Sequence, residues 1–271
     1  MGSARPVQVQ AEGAASEAQG REVFRADALT RKFGDLVAVD RIDLSVRSGE
    51  FFGFLGPNGA GKTTTLRMAT GLLRPTSGQV RVYGMDPFKS PMEVKSLIGV
   101  APDDPPLYDR LTGRENLEFV ARIRTFAPEA ARKKSSELLG WLGLEDAADK
   151  PAADYSLGMR KKLALACALL HRPMMMFLDE PFSGIDPLGV KALKDALAAM
   201  VREGATVFYS SPDMELAERL CTRIAIIHQG RIRGCGTLEE LRQLAGLAGG
   251  STLEDVFLKL VGEEYVPEGE A

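Results

Sequence analysis

One segment of the chain has the residue types of a loop that wraps around phosphate groups. Its glycines let the backbone curl so that successive N–H groups point at phosphate oxygens, and a helix start adds a favourable dipole. The bare pattern G-x-x-x-x-G-K-[ST] should arise by chance in only about one chain of this size in a hundred. We therefore predict a site for ATP with Mg²⁺, in which Lys62 adds positive charge and Thr63 binds the metal. The phosphate loop (56–64) consists of Gly56, Pro57, Asn58, Gly59, Ala60, Gly61, Lys62, Thr63 and Thr64.

A hydrophobic run that ends in two acids supplies a second part of the site. Residues 174–178 are apolar, and Asp179 and Glu180 follow them directly. Asp179 would bring a carboxylate to Mg²⁺, directly or through water. Glu180 could orient and polarise an attacking water as a general base. Acids often simply end a strand, so this pattern gains its meaning from the phosphate loop.

These residues need a framework of alternating strands and helices. We predict strands at 51–55, 174–178, 205–210 and 224–228, and a helix over 61–72. This alternation favours an α/β fold with a largely parallel sheet flanked by helices. Between about residues 103 and 158 apolar residues recur at helical spacing with no strand signal, which predicts an inserted helical subdomain.

Composition limits the possible functions. The 271 residues carry a formal net charge of −3, so they lack the basic excess of a non-specific nucleic-acid binder, and no nucleic-acid partner is expected. The three cysteines have no metal-like spacing and suit a reducing cytosol. The longest apolar run, 163–170, is far shorter than the roughly 20 residues of a spanning helix, so we expect that the chain does not cross a membrane by itself. We interpret residues 1–22 as a disordered tail.

Together the motifs resemble those of ATP-binding subunits of ABC transporters. Family members carry a signature L-S-G-G-Q before the acidic strand, and the signature segment (155–159) reads Tyr-Ser-Leu-Gly-Met here. The resemblance implies that Ser156, Gly158 and Met159 contact the γ-phosphate bound by a partner subunit, so that ATP is held between two chains. A serine here could also simply cap the following helix.

The resemblance extends over nearly all of the chain after the tail. It implies a P-loop NTPase core with N-terminal antiparallel strands over residues 23–264, followed by a flexible end at 265–271. Phe33 matches the aromatic residue that stacks on adenine, although it could be a core residue. Asp186 lies in a segment, 183–186, that resembles the loop linking the two nucleotide sites; we call it the Asp186 loop. Residues 252–257 resemble the tail of the drug- and antibiotic-export branch.

One departure from the family pattern concerns metal sensing. Family members usually place a Gln where the strand enters the helical subdomain, and this chain has Asp103. A carboxylate is a good Mg²⁺ ligand, but it is one methylene shorter and brings extra negative charge. We assign Asp103 a metal and sensing role, with a surface acid as the alternative.

A second departure concerns hydrolysis. The family places a His that contacts the γ-phosphate after the strand at 205–210, and this chain has Pro212 instead. Proline offers neither a side-chain donor nor an N–H. Loss of one donor to developing charge typically costs a hundred- to thousandfold in rate, or about 3 to 4 kcal/mol. We therefore expect slow hydrolysis, and neither His171 nor His228 is placed to substitute obviously.

The leading hypothesis is an energy-coupling ATPase subunit that dimerises around ATP and drives a separate integral-membrane permease. It would be cytoplasmic and peripheral on the inner face of the cell membrane. An ATP-gated regulatory or degenerate subunit, or the weaker half of a heterodimer, remains open because of Pro212. A nucleic-acid-associated ATPase or a small-molecule kinase fits the motifs less well. The cargo, its direction of transport and the choice between homodimer and heterodimer are left open by the sequence.

Overall fold

A computed structural model describes residues 20–262 of the chain, and nine strands form two sheets there. The first sheet has three strands in the order β2-β1-β4, and the second has six in the order β5-β6-β7-β3-β8-β9. The strands are β1 (Glu22–Phe33), β2 (Leu36–Arg47), β3 (Phe51–Leu55), β4 (Ser77–Val82), β5 (Ile98–Ala101), β6 (Met175–Asp179), β7 (Thr206–Ser211), β8 (Arg223–His228) and β9 (Arg231–Gly236).

The six-stranded sheet carries the predicted site. Its first five strands are parallel and only β9 is antiparallel, which confirms the prediction of a mostly parallel sheet. Strands β3, β6 and β7 are buried along their whole length, as their continuous apolar sequences require in a sheet covered on both faces. Because these strands run in one direction, their carboxyl ends meet at one edge, where α/β proteins bind ligands.

Nine α-helices surround the sheets in the described part of the chain. The predicted helix at 61–72 ends earlier than expected, because Gly71 adopts φ +76° and turns the chain after Ala69. The helices are α1 (Lys62–Ala69), α2 (Pro91–Leu97), α3 (Gly113–Ile123), α4 (Pro128–Trp141), α5 (Leu157–Leu169), α6 (Pro187–Arg202), α7 (Met214–Leu220), α8 (Leu238–Ala245) and α9 (Leu253–Val261).

An aromatic cluster holds the three central strands in register. The ring of Phe208 on β7 lies 5.4 Å from those of Phe54 on β3 and Phe177 on β6, and 5.6 Å from those of Phe52 and Phe24. All five side chains are fully buried. A slip of one residue in any strand would turn its phenylalanines to the opposite face of the sheet, so burial of the cluster fixes where each strand ends.

The three-stranded sheet is antiparallel, as the family resemblance implies. Strand β1 begins at Glu22, and Arg21 accepts a hydrogen bond from Ser48. The prediction that the tail extends to residue 22 is therefore wrong at its end, because pairing with β2 continues to that point. Residues 1–19 of the predicted tail, and the predicted flexible end at 265–271, lie outside the described residues.

Between β5 and β6 the chain forms the helical subdomain. Helices α3 and α4 pack together, and Leu117, Ala121 and Leu139 are buried between them and α5. An isolated bridge between Thr112 and Pro151 closes the base of α3 and α4. We call the region around this bridge the neck. Within residues 20–262, no helix combines the length and the apolar character needed to span a membrane.

Candidate functional site

The phosphate loop joins the end of β3 to the start of α1. Gly59 and Gly61 have φ values of +74° and +106°, which side-chain-bearing residues rarely adopt. At Gly61 an added Cβ would also lie 2.5 Å from the carbonyl oxygen of Ala38. Lys62 is buried, and its Nζ donates to the carbonyl oxygens of Gly56 at 2.7 Å and Pro57 at 2.9 Å. The ammonium group is thus held across the mouth of the loop.

The acid at the end of β6 lies beside the loop as predicted. The Thr63 hydroxyl donates to Oδ2 of Asp179 at 2.7 Å, and the Ser210 hydroxyl donates to Oδ1 at 2.8 Å. Asp179 is 2% exposed, so both hydrogen bonds compensate the burial of its carboxylate. Sequence reasoning missed Ser210 as a partner, because pairing of β6 with β7 decides which residue stands beside Asp179.

The oxygen ligands fit Mg²⁺. A hydroxyl and a carboxylate side by side are the hard donors that Mg²⁺ prefers, and Mg²⁺ normally takes further ligands from substrate phosphates and water. Within residues 20–262, no group of three or more His, Cys, Asp or Glu side chains could hold a metal by itself. Thr63 and Asp179 supply two oxygen donors of the kind that Mg²⁺ prefers.

Glu180 follows Asp179 in a strained backbone conformation. Its φ is +46°, which is unusual for a residue with a side chain. Burial raises the pKa of the Glu180 carboxyl, Asp103 and Asp179 raise it further, and the Lys62 and Lys161 charges lower it. A raised pKa makes the carboxylate a stronger base.

Pro212 lies in the turn between β7 and α7. It lines a cavity of about 370 Å³ together with Glu180, Tyr209 and Arg219. The turn is held by Asp213, whose N–H donates to the Ser211 hydroxyl at 3.0 Å. Pro212 contributes no polar hydrogen to this cavity.

The signature segment starts α5. The Ser156 hydroxyl accepts from the Met159 N–H at 3.3 Å, which is the N-cap arrangement. An added Cβ at Gly158 would lie 3.0 Å from the Gly184 carbonyl oxygen, so only a small residue fits easily there. Asp186 caps α6 by accepting from the Gly189 N–H at 2.9 Å. The close approach of Gly158 to Gly184 places the signature segment against the Asp186 loop.

Phe33 stands at the end of β1. Its side chain is 45% exposed, and the Arg31 guanidinium lies 4.5 Å from the ring centroid. The alternative of a core phenylalanine is therefore wrong. An exposed ring with a cation on one face offers a surface on which a planar base could stack.

Asp103 is held by a residue that sequence reasoning missed. Lys161 on α5 donates from Nζ to Oδ1 of Asp103 at 2.6 Å and to the carbonyl oxygen of Glu180 at 2.8 Å. Lys161 lies among Arg160 and Lys162, which suggests a solvated face. The available signal was its helical spacing from Gly158 and Leu165, both buried on the same side of α5.

Neither histidine lies at the position of Pro212. The Nε2 atom of His171 is 2.9 Å from the Ile98 carbonyl oxygen, and burial lowers the pKa of this ring. His228 is buried at the end of β8. Burial also raises the pKa of the Cys167 thiol to about 12, so this thiol carries little thiolate.

Sequence comparison identifies relatives over most of the chain. A family model described as ABC transporter matches residues 39–183. The probable multidrug ABC transporter ATP-binding protein YbhF of Escherichia coli (strain K12) is 38% identical over 244 residues, covering 89% of this chain and 42% of YbhF. The bacitracin transport ATP-binding protein BcrA of Bacillus licheniformis is 38% identical over 213 residues, covering 78% of this chain and 68% of BcrA. The chain thus spans less than half the length of YbhF.

Solved structures share the fold. One described as the ATP-binding subunit of an ABC transporter has a TM-score of 0.82 and 29% identity, covering 89% of this chain and 100% of that one. The ATP-binding cassette MJ0796, described as dimeric in a post-hydrolysis state with ADP and Pi, has a TM-score of 0.72 and 25% identity, covering 79% of this chain and 98% of its own.

Proposed function

The chain belongs to the ABC transporter family of ATP-binding proteins, and from that premise we propose that it is the energy-coupling ATPase subunit of a transporter. It binds ATP with Mg²⁺, pairs with a second ATP-binding subunit, and drives a separate integral-membrane permease. The observation that carries this proposal is the 2.7 Å hydrogen bond between Thr63 and Asp179. It joins the residue after Lys62 to the residue before Glu180.

Binding uses the phosphate loop and the exposed ring at the end of β1. Lys62 exchanges its two carbonyl acceptors, Gly56 and Pro57, for phosphate oxygens. The N–H groups of Gly59, Ala60 and Gly61 and the start of α1, including Thr64, complete the cradle around the phosphates. Phe33 stacks on the adenine.

Hydrolysis uses the acids at the ends of β6 and β5. Mg²⁺, when bound, would supply positive charge that offsets the negative charge developing on the phosphates. Thr63 and Asp179 would hold the metal, and Asp103 would sense it. Glu180 accepts a proton from the water that attacks the γ-phosphate. The raised pKa of Glu180 suits this role at neutral pH.

The site is completed by a facing subunit. Ser156, Gly158 and Met159 start a helix that can present a hydroxyl and N–H groups to the γ-phosphate of the partner. Ser156 is exposed, and its capping bond to Met159 leaves the hydroxyl hydrogen available as a donor. The Asp186 loop lies against this segment and links the two sites. The described dimer of MJ0796 supports such pairing.

The helical subdomain offers a contact surface for the permease. The rings of Tyr108 and Phe119 stack edge to face at 4.7 Å, and both are exposed. Ile123, one turn further along α3, is 66% exposed. This apolar patch, close in sequence to Asp103, suits a cytoplasmic helix of a membrane partner and would keep the subunit peripheral on the inner face of the membrane.

Turnover by this subunit is slow because Pro212 lacks the donor of a histidine. The same residue favours a second candidate, an ATP-gated regulatory subunit or the weaker half of a heterodimer. Glu180 favours the ATPase, since a site that only binds ATP needs no general base. We propose drug or antibiotic export as the transport function, and the names of YbhF and BcrA and the likeness of residues 252–257 support this proposal.

A binding and turnover assay tests the proposal. Purified protein should bind ATP and release phosphate only with Mg²⁺. Lys62→Met should weaken ATP binding by about tenfold to a hundredfold, the usual effect of losing a charged hydrogen bond. Lys95→Met is the matched control, because Lys95 is exposed on α2. Equal ATP affinity in both variants would overturn the assigned site, and binding without phosphate release would favour the regulatory candidate.

A further inference from the structure

A buried lysine on α5 connects two acidic residues of the site. The Lys161 side chain is 4% exposed, whereas its partner Asp103 is 54% exposed. The ammonium group donates to the Asp103 carboxylate at 2.6 Å and to the Glu180 carbonyl oxygen at 2.8 Å. A buried ammonium is costly unless it is paired and hydrogen-bonded, so both contacts matter to Lys161.

The contact with Glu180 falls on a strained peptide. Glu180 has φ +46°, and its N–H donates to the Ser210 carbonyl oxygen at 2.9 Å. Strand β7 therefore holds the N–H of Glu180 while α5 holds its C=O through Lys161. A non-glycine residue persists in this conformation only when its surroundings fix it. The Glu180 carbonyl oxygen also accepts from the Ser183 N–H at 3.3 Å, so Lys161 supplies one of three hydrogen bonds that hold this backbone, and the shorter of the two to the C=O.

The contact with Asp103 compensates a charge. The Lys161 ammonium lies 2.6 Å from Oδ1 of Asp103, so its positive charge offsets the negative charge of that carboxylate. Without Lys161, the Asp103 charge would stand uncompensated near the place where ATP brings its own negative charge.

We propose that Lys161 is a positioning residue, which fixes the backbone of Glu180 for hydrolysis and neutralises Asp103 until Mg²⁺ and ATP are bound. This inference rests on the proposed ATPase function. It assigns Lys161 two effects that a merely structural lysine would not have, one on kcat and one on metal-free binding of ATP.

Turnover measurements test the first effect. Lys161→Met should lower kcat by about ten- to hundredfold while KM changes much less, because misplacement of a catalytic group acts on the chemical step. Lys95→Met should leave both kcat and KM unchanged. An unchanged kcat in Lys161→Met would overturn the positioning role.

Binding of a fluorescent ATP analogue tests the second effect without turnover. In EDTA, Lys161→Met should weaken binding by about fivefold, as expected for one uncompensated charge at a partly exposed site. Adding Asp103→Asn should restore the affinity. Equal losses with and without Mg²⁺ and no rescue by Asp103→Asn, or a large fall in Tm with the same losses, would assign Lys161 a structural role only.

The two proposals fail in different ways. Wild-type protein that binds the analogue but releases no phosphate would overturn the ATPase function and with it the kcat effect, while the EDTA experiment still decides whether Lys161 compensates Asp103. Wild-type protein that binds no ATP would overturn both proposals.

Discussion

The backbone N–H of Glu180 donates to the carbonyl oxygen of Ser210 at 2.9 Å. The proposed general base is therefore tied to β7 two residues before Pro212. Because β7 is fixed by parallel pairing on both sides, we expect a substitution at position 212 to leave the backbone of Glu180 in place. Substitutions at position 212 can therefore test whether a missing hydrogen-bond donor limits the rate of ATP turnover.

Replacing Pro212 by histidine should increase ATP turnover. Pro212 lines the cavity beside Glu180, so an imidazole there could donate to the γ-phosphate. A hydrogen-bond donor that stabilises the charge developing in the transition state can raise kcat by up to about a hundredfold. Phosphate release at saturating Mg²⁺ and ATP measures the change.

The control is Pro212→Ala, which removes the ring without adding a donor. It should leave kcat close to that of the wild type. Equal increases in both variants would mean that relief of the proline constraint is responsible. If the wild-type protein turned over ATP rapidly and Pro212→His did not change that rate, the prediction of slow hydrolysis would be wrong.

Glu180→Gln should remove turnover while it preserves ATP binding. The amide keeps the shape of the side chain but cannot accept the proton, and loss of general-base catalysis costs about 10²- to 10⁴-fold. In the wild type, kcat should fall on the acidic side with an apparent pKa above the ordinary glutamate range, because burial raises the pKa of Glu180. A pH–rate profile of both proteins measures this, and retained turnover in the variant would exclude Glu180 as the base.

The same substitution should make the protein more stable at neutral pH. A carboxyl whose pKa is raised on folding stabilises the protein below its unfolded pKa, and this contribution is lost as pH rises through the folded pKa. The ionised Glu180 is therefore unfavourable at pH 7, and the glutamine variant avoids this cost. Its Tm should exceed that of the wild type at pH 7, and the difference should shrink toward pH 4. A constant difference at all pH values would point to a cause other than ionisation.

Mixing two inactive variants should restore part of the activity if each site is shared between subunits. Lys62→Met disables the phosphate loop, and Ser156→Arg blocks the signature segment. In a mixed dimer one site has both parts intact, so an equal mixture should reach about a quarter of wild-type turnover. Each variant alone should stay inactive, and a mixture that remains equally inactive would argue against trans completion by Ser156.

The family and its mostly parallel sheet could be predicted from the sequence, and both are confirmed. The phosphate loop has a fixed spacing, and its position between an apolar strand and a helix is local information. Asp179 could be predicted because a buried parallel strand has a continuous apolar sequence, and this apolar run ends at Asp179. Both predictions needed only short stretches of chain.

Tertiary contacts could not be predicted in the same way. Ser210 is a partner of Asp179 because β6 pairs with β7, and the order of strands in a sheet is not written in any one strand. Lys161 stands in a run of three basic residues, and only the packing of α5 against β5 reveals that it points inward. The extension of β1 back to Glu22 depends likewise on its pairing with β2.

Several backbone contacts close the neck of the helical subdomain, at one end of α3. Besides the bridge between Thr112 and Pro151, the Gly113 N–H donates to the Lys150 carbonyl oxygen and the Ala152 N–H to that of Leu111. An eleven-residue helix such as α3 is about 16 Å long. A rotation of about 10° at the neck would therefore carry its far end through about 3 Å. A displacement of this size would carry the exposed Phe119 and Ile123 side chains with it, against any helix of another protein that rests on them.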